Sequence, residues 1–80
     1  MKILKFSAAW CQPCKQLEKT LNDMELPYTV ENVDIDKNPG LASDFAVRGV
    51  PTMVLVTDEG KEQGRLVGGQ TKASIGEWLA

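Results

Sequence analysis

The chain has 80 residues, 42% hydrophobic and 25% charged, which fits one folded domain with a modest core and excludes a disordered chain. Nine basic against eleven acidic residues give a net charge of −2, so no basic field for nucleic acid or anionic lipid is present. The histidine count is zero, which removes His-based triads, His-ligated zinc and imidazole acid–base catalysis.

Lys2 to Ser7 reads as a short strand, too apolar on both sides to lie at a sheet edge. Pro13 marks a helix start, because a missing N–H is harmless in the first turn. Cys14, Leu17, Leu21 and Met24 then recur at helical spacing, with Lys15, Glu18, Lys19 and Asn22 on the other face and Pro27 as the stop. Tyr28 to Ile35 is a second strand. Asn38-Pro39-Gly40 opens a short helix through Leu41, Ala42, Phe45 and Ala46, broken by Arg48-Gly49-Val50-Pro51. Thr52 to Thr57 is a β-branched third strand, and Asp58-Glu59-Gly60-Lys61 turns into a fourth over Gln63 to Val67. Gly68-Gly69 is a loop, after which Thr71 caps a last helix with Ile75, Trp78 and Leu79 inward and Gly76 as a weak point.

The order is β-α-β-α-β-β-α. The first two strands flank a helix and should run parallel through a right-handed crossover, and the last two should form an antiparallel hairpin. An α/β fold follows, with a mixed four-stranded sheet and helices on both faces. The longest apolar stretch, Val50 to Val56, is far short of a membrane span, and Lys2 and Lys5 interrupt any export signal, so a cytoplasmic protein with no membrane contact is expected.

The two cysteines are separated by two residues, Cys11-Gln12-Pro13-Cys14. A secreted disulfide scaffold needs more cysteines at wider spacing, and a four-thiolate zinc site cannot form within one chain. A redox couple is the first reading, and small buried apolar residues or a metal site shared between two chains are the others. At a strand-to-helix junction, free N–H groups and the helix dipole favour thiolate, the nucleophile of disulfide exchange. On that placement Cys11 is the more exposed and attacks, and Cys14, a turn further in on the apolar stripe, resolves.

Phe6-Ser7-Ala8-Ala9-Trp10-Cys11-Gln12-Pro13-Cys14-Lys15 resembles the F-W-A-x-W-C-G-P-C-K segment of the thioredoxin family. Val33 to Gly40, Arg48-Gly49-Val50-Pro51-Thr52 and Val67-Gly68-Gly69 are similar, in order, to three further segments of that family. The resemblance implies a single thioredoxin-like domain over residues 1–80. It implies a protein-disulfide reductase, with disulfide-containing proteins as substrates and no bound cofactor or metal. It also implies a cis bond before Pro51 and a substrate groove bordered by Trp10, Gln12, Pro13, Val50, Pro51, Gly68 and Gly69. The electron donor would be a thioredoxin reductase or glutathione, and a monomer is expected.

Departures from the family pattern carry information too. The chain starts at the catalytic strand, so it reads as a short version near glutaredoxin size. Gln12 stands for the usual glycine and Ser7 for a bulky tryptophan. Lys5 stands where the family holds a buried aspartate, with Asn32 in place of its lysine partner. Lys5 either snorkels to solvent from a strand end or acts electrostatically on the thiols. Gly68-Gly69-Gln70-Thr71 resembles the glutathione-binding turn of glutaredoxins, which makes a glutathione-dependent reductase the alternative; a thioredoxin-fold binding subunit without turnover is another.

Overall fold

The apolar run that opens the chain becomes the inner strand of a sheet. The computed structural model describes residues 1–80, with the elements β1 (Lys2–Ser7), α1 (Gln12–Asn22), β2 (Thr29–Asp34), α2 (Pro39–Asp44), β3 (Thr52–Val56), β4 (Glu62–Val67) and α3 (Lys72–Leu79). The sheet order is β2-β1-β3-β4, parallel between β1 and β2 and antiparallel for the other two pairs. β1 is thus covered on both faces, which its sequence requires. No helix is long and apolar enough to cross a membrane.

Strand alternation sorts the core into two layers. Ile3 and Met53 meet Leu17 and Leu21 of α1 and Ile75 of α3, while Leu4, Phe6, Val33, Val54 and Val56 meet Ala42 of α2 on the opposite face. Each fully buried aliphatic or aromatic side chain contributes about 1.5–3 kcal/mol. The Phe6 and Phe45 rings add a tilted contact at 5.9 Å.

Helix ends are set by local chemistry, and two differ from the sequence reading. α1 stops at Asn22, ahead of Pro27: the Asp23 N–H donates to the Thr20 carbonyl at 3.2 Å and the Met24 N–H to the Leu21 carbonyl at 3.1 Å, closing the helix where Asn and Asp compete with its backbone. Met24 therefore lies past the helix, yet still packs on the α1–α3 layer. α2 ends at Asp44, ahead of the Arg48 to Pro51 break, because Ala46 takes a left-handed φ of 53° and the Val47 N–H bonds back to the Ala42 carbonyl at 2.9 Å. α3 begins in a reciprocal cap: the Ser74 N–H donates to Thr71 Oγ1 at 3.1 Å and the Thr71 N–H to Ser74 Oγ at 3.0 Å. That cap holds α3 in register, and the helix continues through Gly76.

Candidate active site

Cys11 is the N-cap of α1, in extended backbone conformation, and Pro13 lies in the first turn. Its Sγ accepts the Cys14 N–H at 3.2 Å, so sulfur fills the place that a serine or aspartate oxygen usually takes at a helix start. The turn brings the Cys11 and Cys14 Cα atoms to 5.3 Å, and the two sulfurs are joined as a disulfide. When that bond is reduced, the same N–H and the dipole of α1 favour negative charge on Cys11.

Both cysteines are only 4% exposed, so the expected difference in accessibility is absent in this disulfide form. Cys11 is covered as well as Cys14 because it packs with Ala8 under the half-buried Ile35 and Val50. Position on the helix, rather than exposure, separates the two sulfurs.

The other predicted residues fall around this pair. Val50 packs directly on the cysteine cluster, and the Val50–Pro51 bond is cis, with Pro51 buried. The Pro51 carbonyl accepts the Gly68 N–H at 2.8 Å, which fastens the loop after β4 to the loop before β3. Gly68 has φ +85°, a conformation that suits glycine, whereas Gly69 is exposed and makes no hydrogen bond to the site. Gln12 and Pro13 are exposed on the first turn of α1. Trp10 is 67% exposed and stands over the second strand's loop, where its indole N–H donates to Asp36 Oδ2 at 3.0 Å.

Lys5 is not at a strand end. It lies mid-way along the inner strand β1, 4% exposed, paired in backbone register with Asn32 and Met53. Its side chain lines a cavity of about 340 Å³ together with Cys14, Lys15 and Glu18 of α1, Asn32 and Asp34 of β2, and the turn Ser7 to Ala9. Burial pushes the Lys5 pKa down, and the Glu18 carboxylate pulls it partly back up. The stem of Lys5 is buried, and its ammonium snorkels into this cavity from mid-strand rather than from a strand end.

Sequence reasoning gave no role to Asp36 or Glu18. Glu18 belongs to the polar face of α1 but follows Cys14 by four residues, so it borders the stripe beside that cysteine, and this spacing was the available signal. No local pattern pairs Trp10 with Asp36, since their contact depends on where the loop after β2 returns.

The family model for thioredoxin matches residues 1–80. Thioredoxin of Chlamydia muridarum is 43% identical over 76 residues, spanning 91% of this chain and 74% of that protein. Thioredoxin of Mycolicibacterium smegmatis is 37% identical over 79 residues, spanning 91% and 70%. Among solved structures, a mutant thioredoxin from Halobacterium salinarum NRC-1 superposes with a TM-score of 0.87 at 35% identity, covering 96% of this chain and 69% of that one. Fasciola hepatica thioredoxin gives 0.84 at 30% identity, covering 96% and 75%. The fold, the capped cysteine pair and these similarities together define a thiol–disulfide oxidoreductase. The chain belongs to the thioredoxin family, a family of protein-disulfide reductases.

Proposed function

We propose that this chain works as a reductant of protein disulfides in the cytoplasm, as a monomeric single domain with no bound cofactor, and that Cys11 attacks while Cys14 resolves. The observation that carries the assignment is the Cys14 N–H aimed at Cys11 Sγ at the start of α1. Only one of the two sulfurs has that donor, and it stabilises thiolate where attack begins. The Cys11 thiolate displaces one sulfur of the substrate disulfide, leaving Cys11 in a mixed disulfide and releasing the first substrate thiolate. Cys14 thiolate then attacks Cys11 Sγ, closes the Cys11–Cys14 bond and expels the second substrate thiolate. Both leaving thiolates take protons from solvent.

The rim of Trp10, Gln12, Pro13, Val50, Pro51, Gly68 and Gly69 is the surface on which the substrate polypeptide docks. Packing of Val50 on the cysteines supports this, as does the backbone bond that draws Gly68 to Pro51. Reducing equivalents come from a thioredoxin reductase, with glutathione as the competing donor.

The roles are tested with insulin as the disulfide substrate. Cys11→Ser removes turnover, and Cys14→Ser accumulates a covalent adduct visible by mass. Normal turnover by Cys14→Ser, with glutathione excluded, would overturn the two-thiol cycle. Running the parent with thioredoxin reductase and NADPH, and separately with glutathione, assigns the donor.

A further inference from the structure

Lys5 is a cation with no bonded partner, held in the field of the Glu18 carboxylate. It makes no hydrogen bond and no ion pair within 4 Å, although it is almost fully covered. The stem of Lys5 is covered while its ammonium opens on the cavity, since no buried side-chain nitrogen is left without a partner. The cavity names the groups it can act on. Glu18 and Asp34 face it with negative charge, Lys15 with positive charge, and Cys14 is the one redox-active group on its wall. Cys11 does not line this cavity; its sulfur faces the helix N-terminus instead.

We propose that Lys5 is a positioning residue for the second half of the cycle: its ammonium, held across the cavity from Cys14, favours the Cys14 thiolate that must attack the mixed disulfide. This rests on the assignment of Cys14 as the resolving thiol. The chemistry balances without a further reactant. Cys14 loses its thiol proton through the open cavity, its sulfur bonds to Cys11 Sγ, the Cys11–substrate bond breaks, and the substrate thiolate leaves. Charge is the reason for the coupling. In the disulfide state the cavity holds a desolvated amine whose pKa burial has lowered. In the mixed disulfide a thiolate on Cys14 adds a counter-charge on the wall of the same cavity. Thiolate and ammonium stabilise each other, and the pair titrates as a unit.

A single-turnover experiment isolates this step. Reduced protein is mixed with the chromogenic disulfide 5,5′-dithiobis(2-nitrobenzoate), which releases one thionitrobenzoate as Cys11 attacks and a second as Cys14 closes the intramolecular disulfide. The parent should show both phases, and Cys14→Ser only the first. For Lys5→Met, which keeps the apolar stem and drops the charge, the second phase should slow about tenfold at neutral pH. Its pH midpoint should move up by about one unit, the equivalent of that tenfold change for a single proton. The first phase should be unchanged, which also certifies that the variant is folded. Lys5→Arg, which retains a fixed cation, should restore the parent's second-phase profile. Superimposable second-phase profiles for the parent and Lys5→Met would overturn the assignment of Lys5 while leaving the two-thiol cycle standing. So would an equal shift of both phases in Lys5→Met, since that would mark a general structural effect. A parent lacking the second phase would overturn the cycle itself, and the role of Lys5 with it.

Discussion

Closing and opening the Cys11–Cys14 bond should change the stability of the whole chain by an amount that its position allows one to work out. The bridge has a sequence separation of 3, so it ties off a loop of only four residues. In the chain-entropy description, cross-linking so short a loop removes roughly 6 cal/mol/K from the unfolded ensemble, or about 1.9 kcal/mol at room temperature. A chain of this length shifts its melting temperature by roughly 4–8 °C per kcal/mol. The oxidised protein should therefore melt about 8–15 °C above the reduced one. The capped thiolate offsets part of this, because the Cys14 N–H and the α1 dipole stabilise charge on Cys11 in the folded reduced chain. The gap should accordingly be widest at acidic pH, where the thiol is protonated, and narrow as pH rises. Calorimetry of the oxidised protein and of the protein in excess dithiol, from pH 5 to pH 9, measures it. Cys11→Ser should melt near the reduced protein in either buffer. A reduced protein that melts at or above the oxidised one at pH 5 would refute the reasoning.

Two further outcomes follow from single residues. The Lys5 pKa lies below its unfolded value because burial disfavours the charge, so the folded chain binds fewer protons and stability rises with pH as the unfolded lysine's range is approached. Lys5→Met should therefore stabilise the oxidised protein at pH 7, with a gain that shrinks towards pH 10 in denaturant titrations. Ala46 holds φ 53° just after α2, a left-handed conformation costing an L-residue roughly 1–2 kcal/mol. Ala46→Gly relieves that cost and gives back roughly 0.5–1 kcal/mol of unfolded-chain entropy, so a net gain of about 0.5–1 kcal/mol should appear as a higher melting temperature.

Much of the architecture was legible because single residues dictate it. The strand Lys2–Ser7 is apolar on both sides and could only be an inner strand, and Thr71 has the chemistry of a helix cap. The end of α1 was misread because a proline is a conspicuous stop, whereas Asn22 and Asp23 end a helix quietly, through backbone competition. The exposure of Cys11 was misread for another reason. Burial at a helix start depends on what the neighbouring loop does, and here Val50 arrives from a segment far along the chain to cover it. Lys5 was recognised as out of place, but its depth depends on α1 crossing over β1 and β2, which no local pattern encodes. The bond between Trp10 and Asp36 was hidden in the same way.

Equal burial of the two cysteines sharpens the question of how one dithiol performs two different attacks. If accessibility does not distinguish the sulfurs, electrostatics must, and the fold offers two separate sources. Cys11 Sγ stands at the N-terminus of α1 and receives a backbone N–H, a fixed dipole that needs no proton and is present in every state of the cycle. Cys14 lies one turn in, where that donor is already used, and its wall opens instead on the cavity holding Lys5 and Glu18. The influence there comes from side chains, so it responds to pH and to the charge state of its neighbours. Attack on a substrate is thus favoured by backbone geometry that sequence changes barely touch. Release, on the role proposed for Lys5, depends on a lysine that a single substitution can remove. The first step should tolerate variation in the residues around it, and the second should carry the individual character of this chain.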